Sequence, residues 1–176
     1  MVGNGFNIQK SVACQHYLAM SETFLILENI RSAHNVGAIF RTADGAGVSK
    51  IYIVGYTPAP TDRFGREQPE ILKTSLGASD TIPWEQHDSA VEIIEELKKD
   101  RVEIIAVEQH TKSIEYHSHK PTGARAFIMG NEIEGVSAAA LAVADTIVDI
   151  PMSGQKESLN VATTAGIILF HFRDGA

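Results

Sequence analysis

The sequence contains a single cysteine, Cys14, among 176 residues. One thiol excludes an internal disulfide framework and is typical of a reducing compartment. Long hydrophobic runs are also missing, because no apolar stretch approaches the ~20 residues that a membrane-spanning helix needs. Residues 1–10 lack the basic-then-apolar pattern of a secretion signal. We therefore expect a cytoplasmic protein without a membrane segment.

The composition is neither that of a disordered chain nor strongly basic. Hydrophobic residues make up 44% and charged residues 21%, as in an ordinary globular domain. The net charge of −7 argues at first against a nucleic-acid partner. However, residues 80–109 alone hold nine acidic and three basic residues, a net charge of −6. We therefore assign the surplus of acidic charge to one solvated face, which leaves the rest of the surface able to bind an anionic ligand.

Short apolar runs alternate with helical patterns along the chain. The runs predict strands at 23–28, 50–54, 81–84, 102–107, 124–129 and 146–150. Helical spacing predicts helices at 11–20, 35–46, 69–76, 89–99, 137–143 and 158–173. In helix 89–99 we expect Val91, Ile94 and Leu97 to face inward and Asp88 to cap the N-terminus.

This alternation predicts an α/β fold, a mostly parallel sheet with helices on both faces, in a single domain. We divide the chain into a short helical N-terminal extension, residues 1–22, and the domain proper, residues 23–176. In such sheets, ligands bind outside the carboxyl ends of the strands. Three segments at these ends are rich in glycine and polar residues: NxGxxxR at 35–41, GNEIEG at 130–135 and IPMSGQKESLN at 150–160.

Four side chains in these segments are candidates for chemistry, each with a structural alternative. Arg41 follows three apolar residues, so we expect it to be partly buried and to need a carboxylate or a phosphate. A structural ion pair would explain it equally well. Glu132 can bind a basic group or a sugar hydroxyl, or can be the exposed acid of a tight turn. Ser158 and Asn160 lie at a predicted helix start, where ordinary capping explains part of the pattern.

Two other kinds of site are not expected. His110, His117 and His119 match no zinc-ligand spacing and have no cysteine partner nearby, so we predict no metal site. Gly45 and Gly47 lack the third glycine of a dinucleotide fingerprint and follow a predicted helix rather than a strand.

In this order, the three segments resemble the three motifs of the SpoU (TrmH-like) branch of the SPOUT RNA methyltransferases, over residues 24–172. The resemblance implies a deep trefoil knot in the C-terminal part, a homodimer, and S-adenosylmethionine as cofactor. It also implies methyl transfer to a ribose 2'-hydroxyl in tRNA or rRNA, by in-line displacement at a sulfonium. The last helix, with its small residues Ala162, Ala165 and Gly166, is expected at the dimer contact.

The resemblance assigns roles residue by residue. The catalytic group it implies is Arg41, Asn35, Glu132, Ser158 and Asn160. The cofactor-binding group is Val107, Glu108, Gln109, Gly130, Asn131, Gly135, Ile150, Met152, Ser158 and Leu159. From the basic residues we expect RNA contacts at Arg31, Arg41, Arg63 and Arg66.

Several alternatives stay open at this point. The chain can be a non-catalytic RNA-binding or assembly protein with the same fold, or a methyltransferase for a base atom. Arg41 can act as a base or as an electrostatic stabiliser. Because only 22 residues precede the first predicted strand, we expect the catalytic domain itself to hold the RNA, as a dimer or with a partner protein.

Overall fold

The computed structural model describes residues 21–173, and its elements follow the predicted alternation. The predicted helix 11–20 lies outside the described residues. The strands are β1 (Thr23–Glu28), β2 (Lys50–Val54), β3 (Trp84–His87), β4 (Glu103–Val107), β5 (Ile114–Glu115), β6 (Arg125–Met129) and β7 (Thr146–Asp149). The helices are α1 (Ala33–Ala46), α2 (Pro69–Ser75), α3 (Ala78–Thr81), α4 (Ala90–Lys99), α5 (Ala138–Val143) and α6 (Val161–His171).

All seven strands form one parallel sheet in the order β3-β2-β1-β6-β4-β7-β5. In β1, Leu25 pairs with Ile51 of β2 on one side and with Phe127 of β6 on the other. The predicted parallel α/β fold is confirmed. Because every strand runs in the same direction, the loops that follow the strands meet at one edge of the sheet.

Helices cover both faces of the sheet, which explains the unbroken apolar runs. In β1, Leu25 and Leu27 belong to a core cluster that also contains buried residues of α1 and α6. Ile26 points to the opposite face and packs in a second cluster with α4 and α5. Successive strand residues alternate between faces, so a strand buried on both sides must be apolar throughout.

Two late strands are inserted between earlier ones. β6 lies between β1 and β4, and β7 lies between β4 and β5. This interleaved order is consistent with a threaded C-terminal part. The trefoil knot implied by the resemblance stays a prediction.

The two outermost strands were predicted poorly. Instead of a strand at 81–84, the chain forms α3 and then β3 from Trp84 onward. Pro83 has no N–H to donate, and its carbonyl oxygen accepts from the N–H of Ile51 at 3.0 Å. β3 and β5 form the two sheet edges and leave most of their side chains exposed or half-buried. Edge strands of this kind carry no apolar run in the sequence.

Three helix starts also differ from the prediction. α1 begins at Ala33 with Ser32 as its N-cap, two residues before the predicted start at Asn35. Ser89, not Asp88, is the N-cap of α4, and Ile93 takes the buried position expected for Val91, which is half-buried. α6 begins at Val161 and is capped by the Asn160 side chain, so Ser158 remains in the preceding loop. Within residues 21–173 no helix has the length and apolar character needed to cross a membrane.

The glycine of the first segment permits close helix packing. Gly37 is buried where α1 crosses α2. A Cβ atom at this position would collide with Oγ1 of Thr74 and with the carbonyl oxygen of Ile71. Because one obstacle is backbone, a larger side chain would push α2 away from α1.

We expect Gly37→Ala to lower the free energy of unfolding by about 1–3 kcal/mol through overpacking. The matched control is Gly45→Ala in the same helix, where a Cβ would meet only Phe170 Cζ at 3.5 Å. Removing that exposed helical glycine should instead raise stability by about 0.5–1 kcal/mol. Urea denaturation of both variants measures the difference, and equal effects would contradict the packing argument.

Candidate active site

A cavity of about 280 Å³ opens at the carboxyl edge of the sheet, where β4, β6 and β7 end. Of the predicted catalytic residues, Glu132 and Ser158 line it. All of the predicted cofactor-binding residues line it as well: Val107, Glu108, Gln109, Gly130, Asn131, Gly135, Ile150, Met152, Ser158 and Leu159. The parallel sheet thus brings together residues that the sequence places after different strands. Their individual roles stay predictions.

The lining has a distinct charge character. Carboxylates come from Glu108, Glu132, Asp149 and Glu157, whereas no Lys or Arg is among the described lining residues. Apolar side chains supply much of the remaining wall. Sequence reasoning missed six of the lining residues: Met129, Ile133, Asp149, Glu157, Val161 and Thr164. A cavity of this composition suits a cationic ligand with apolar parts and disfavours a phosphate group.

A hydrogen-bond relay joins the three segments. Asn35 donates from Nδ2 to Glu132 Oε1 at 3.1 Å, and Asn160 donates from Nδ2 to Asn35 Oδ1 at 3.2 Å. Asn160 Oδ1 then accepts from the N–H of Ala162 at 2.9 Å, at the start of α6. Each amide can satisfy its two partners in only one orientation. Asn35 and Asn160 do not line the cavity, so they position the loops around it.

Glu132 also lies against the N-terminus of α1. Its Oε2 accepts from the N–H of Arg31 at 3.0 Å, and its Oε1 accepts from the N–H of Ser32 at 3.4 Å. Partial burial raises the pKa of Glu132, but hydrogen bonds from Arg31, its own N–H, Asn35 and Ser32 outweigh this, so the net pKa lies below the usual 4.5. The ionised carboxylate is further favoured by the helix dipole.

The loop after β6 is fixed by its own backbone. Asn131 and Gly135 exchange two backbone hydrogen bonds, each 3.0 Å long. Asn131 Oδ1 accepts from the N–H groups of Ile133 and Glu134, both at 2.8 Å. At Gly130 a Cβ atom would collide with the backbone of Gly135. The resemblance places Gly130 in the cofactor-binding group, and the atoms nearest to a Cβ at this position belong to the loop itself.

The end of β4 connects the cavity to two loops. Glu108 Oε2 accepts from the N–H of Val136 at 2.8 Å, and Glu108 Oε1 accepts from the N–H of Gln109 at 2.9 Å. The Gln109 side chain donates to the carbonyl oxygen of Glu157 in the loop before α6. Glu108 and Gln109, both predicted to bind the cofactor, therefore also hold the loops after β6 and before α6 in place.

The expectation that Arg41 is partly buried is wrong. Ile39 and Phe40 face the core, but the next residue turns outward on the helix, and Arg41 is exposed. Arg41 does not line the cavity. It lies in a separate hollow with Lys73, Leu76 and other residues of α1, α2 and α6. Within the described part of the chain, no carboxylate lies within ion-pair distance of it.

The small residues of α6 do not form a free surface. Ala165 is fully buried inside the chain, and a Cβ on Gly166 would lie 3.8 Å from Thr42 of α1. These two residues pack α6 against α1. Ala165 is therefore unavailable for the expected dimer contact, whereas Ala162 and Gly166 are half-buried. The dimer contact at this helix stays a prediction.

The other arginines expected to contact RNA lie in two regions of the surface. Arg31 is exposed beside the cavity, where its backbone N–H binds Glu132. Arg63 and Arg66 belong to the loop between β2 and α2, which borders a second hollow. Arg66 forms an ion pair with Asp62 at 2.7 Å.

The sequence analysis did not single out two polar side chains at strand ends, Glu28 and Tyr56. Glu28 ends β1 and is buried, and its oxygens accept from the N–H and Oγ of Ser137 at 2.9 and 2.7 Å. Asn131 Nδ2 donates to the Tyr56 hydroxyl at 2.7 Å and to the Asn29 carbonyl at 2.9 Å. A charged residue ending an apolar strand, and a tyrosine just after another, are the signals that could have found them.

Two of the three histidines considered as metal ligands contact glutamate side chains. His119 Nε2 lies 2.8 Å from Glu103 Oε1, and His117 Nε2 lies 3.0 Å from Glu115 Oε2. Across residues 21–173, no group of three or more His, Cys, Asp or Glu side chains is placed to hold a metal ion. The absence of a metal in the protein stays a prediction.

The fold and the cavity define an α/β protein whose ligand site lies at the carboxyl edge of a parallel sheet. The model of the SpoU rRNA methylase family matches residues 22–170. The chain therefore belongs to this family.

Relatives are found by sequence and by structure. The chain is 35% identical over 149 residues to the 23S rRNA (guanosine-2'-O-)-methyltransferase RlmB of Neisseria meningitidis, covering 85% of this chain and 57% of that protein. Among solved structures, it is similar to an AdoMet-bound rRNA methyltransferase from Sinorhizobium meliloti, with a TM-score of 0.78, 29% identity and coverage of 88% and 56%. An A. aeolicus TrmH/SpoU tRNA modifying enzyme gives a TM-score of 0.76 and 27% identity, with coverage of 87% and 74%. The chain spans a little more than half the length of the curated relatives it matches.

The lowered pKa of Glu132 predicts a pH-dependent contribution to stability. The contribution is fully present above the usual value of 4.5 and is lost as the pH falls through the lower folded-state pKa. Glu132→Gln should therefore lower the melting temperature at neutral pH and reduce its fall between about pH 5 and pH 3.

The matched control is Glu134→Gln, because Glu134 is exposed on the same loop and its carboxylate forms no hydrogen bond with the described residues. Thermal melts of the wild type and both variants across this pH range provide the measurement. If Glu132→Gln follows the wild-type pH profile, the relay does not depend on the ionised carboxylate.

Proposed function

We propose that the protein transfers a methyl group from S-adenosylmethionine to a ribose 2'-hydroxyl of ribosomal or transfer RNA. The main support is the acid-lined cavity, which the second and third family segments form and the first segment braces. The relatives named for 2'-O-methylation of 23S rRNA, and the similar structure with bound AdoMet, agree with this proposal.

The cavity suits this cofactor by its chemistry. Apolar walls at Val107, Ile150 and Leu159 can enclose the adenine, and the carboxylates favour a ligand that carries a sulfonium and an ammonium group. When bound, S-adenosylmethionine supplies the electrophilic methyl group. An anionic dinucleotide would meet carboxylates where its phosphates need donors.

The RNA must meet positive charge that the cavity does not provide. Arg41 and Lys73 supply such charge in the exposed hollow on α1, flanked by Leu76 and Phe170, which are 67% and 45% exposed. We infer that a second copy of the chain covers these apolar side chains. In this homodimer, Arg41 of one copy lies at the cavity of the other.

Arg41, Ser158 and Glu132 have different roles in the proposed methyl transfer. A guanidinium group carries a positive charge and several N–H donors, so Arg41 acts by binding a phosphate and stabilising the developing alkoxide. The Ser158 hydroxyl lines the cavity and can bind the ribose. The Glu132 oxygens accept hydrogen bonds from N–H donors, so Glu132 holds α1 in place instead of removing the proton. The proton of the ribose hydroxyl passes to water or to a phosphate oxygen of the RNA.

Arg41→Ala should abolish methyl transfer and leave S-adenosylmethionine binding unchanged, because Arg41 acts on the RNA and does not line the cavity of its own chain. Tritiated methyl transfer to total rRNA and tRNA, with calorimetry for cofactor binding, tests this. Lys99→Ala, an exposed cation on α4 that lines neither the cavity nor this hollow, is the control and should retain activity. Absence of cofactor binding in the wild type would favour a non-catalytic RNA-binding protein. Methyl groups found on bases in digested RNA would favour a base methyltransferase.

A mixing experiment tests whether Arg41 acts across the dimer. Arg41→Ala and Ser158→Ala, each inactive alone, are unfolded together and refolded as a mixture. If Arg41 serves the partner's cavity, each mixed dimer has one intact site and activity returns to about a quarter of wild type. Activity that stays absent in dimers shown to be mixed would place Arg41 in the site of its own chain.

The loop arginines predict a salt-dependent contribution to RNA binding. Arg63→Ala should lower the slope of log affinity against log salt by about 0.7, as expected for one lost phosphate contact on a single strand. Arg66→Ala also leaves Asp62 without its ion-pair partner, so its effect should be larger. Filter binding over a salt series measures both slopes. Lys99→Ala on α4 is the control, and an equal change there would remove the loop from the RNA surface.

A further inference from the structure

A second hollow adjoins the cavity on the side of β2. It has a volume of about 710 Å³ and is lined by the loop that follows β2, including Tyr56, Arg63, Phe64 and Arg66, and by Gln86 of β3. We call it the loop hollow. Its connection to the cavity is direct, because Tyr56 lines the hollow and is bonded to Asn131, which lines the cavity.

Tyr56 is held at one end and open at the other. Its hydroxyl binds Asn131 Nδ2 at 2.7 Å, and its backbone N–H donates to Asn29 Oδ1 at 3.4 Å. The side chain nevertheless remains 58% exposed. A tyrosine fixed through its hydroxyl and backbone loses little further freedom when a flat ligand stacks on its ring.

Phe64 is exposed at the tip of the same loop. It is 67% exposed, and the guanidinium carbons of Arg63 and Arg66 lie 4.8 and 5.2 Å from its ring centre. An exposed phenyl ring beside two guanidinium groups is a typical surface for single-stranded nucleic acid, because bases stack on both kinds of group.

The loop is ordered by its own hydrogen bonds. Asp62 Oδ1 accepts from the N–H groups of Phe64 and Arg66 at 2.8 and 3.0 Å, and Thr61 forms an antiparallel bridge with Glu67. Gln68 donates from its N–H to the Pro60 carbonyl at 2.8 Å. Phe64 therefore stays exposed on a closed hairpin.

The charges of the hollow indicate which part of a nucleotide it takes. Arg63 and Arg66 are balanced by Asp62 and Glu67 in the same lining, and Arg66 is paired with Asp62 at 2.7 Å. A hollow whose charges balance favours an uncharged base over a phosphate in its interior. Arg63 is exposed and forms no ion pair with the described residues, so it can still contact a neighbouring phosphate of the RNA backbone. The side-chain amides of Gln68 and Gln86 supply donors and acceptors for the edge of that base.

We propose that the loop hollow binds an unpaired nucleobase next to the nucleotide whose ribose enters the cavity, by stacking on Tyr56 and Phe64. This inference rests on the proposed function, because it needs RNA at the cavity. It assigns recognition of the flanking nucleotide to the loop after β2, and it limits the substrate to RNA that is unstacked at that point.

The experiment compares two labelled probes, a single-stranded 12-nucleotide RNA of mixed sequence and an abasic ribose-phosphate oligomer of equal length. Fluorescence anisotropy should show the full chain binding the first probe about tenfold or more tightly than the second. Phe64→Leu and Tyr56→Leu should each reduce this ratio severalfold, because an apolar side chain without a ring cannot stack. Tyr56→Phe should keep most of the ratio, since it retains the ring and the backbone bond to Asn29 and loses only the hydroxyl bond to Asn131.

Ile114→Ala is the control, an exposed apolar residue on the edge strand β5, and should leave the ratio unchanged. The inference fails if Phe64→Leu and Tyr56→Leu bind both probes as the wild type does, or if the wild type binds the two probes equally. Calorimetry with S-adenosylmethionine and methyl transfer to total RNA separate this failure from that of the proposed function. A wild type that methylates RNA without the base preference overturns only the inference about the hollow.

Discussion

The site depends on the relay from Glu132 through Asn35 to Asn160. Its two side-chain hydrogen bonds join residues that are 97 and 125 positions apart in the chain. Each loop has internal bonds of its own, and the relay, together with the N–H groups of Arg31 and Ser32 bonded to Glu132 and the packing of α6 on α1, fixes the first segment relative to the other two. The carboxylate and both amides are committed to partners, so the relay sets the geometry of the cavity and leaves chemistry to other groups.

Charge is separated between the cavity and the surfaces around it. Acidic residues line the cavity, whereas Arg41 and the arginines of the loop after β2 lie outside it. This separation accounts for an acidic protein with a proposed polyanionic substrate. The cofactor and the RNA backbone have opposite electrostatic requirements, and the fold meets them at different places.

The core of the fold could be predicted because its strands are buried on both faces. β1, β2, β4 and β6 appear in the sequence as apolar runs, whereas β3 and β5 lie at the edges and leave no such signal. That the cavity residues lie close together could also be predicted, because parallel strands end at a common edge of the sheet.

Other features needed the three-dimensional structure. The direction of Arg41 depends on which side of α1 packs on the sheet, and neighbouring apolar residues do not determine it. The Tyr56–Asn131 bond spans 75 positions, and no local pattern indicates such a contact. Gly37 was recognised as part of the first segment. Why a glycine is needed there, however, is the close approach of α2, which depends on tertiary packing.

The interleaved strand order also has a consequence for how the chain acquires its shape. β1, β2 and β3 are neighbours in both sequence and space, so this half of the sheet can assemble while the rest of the chain is being synthesised. β6 and β7 must then enter between strands made earlier, which requires closing long loops. Asn35 gains its partners Glu132 and Asn160 only after these insertions. Because Glu132 and Asn160 lie in the last third of the chain, a chain whose synthesis stops before them lacks the residues that complete the ligand site.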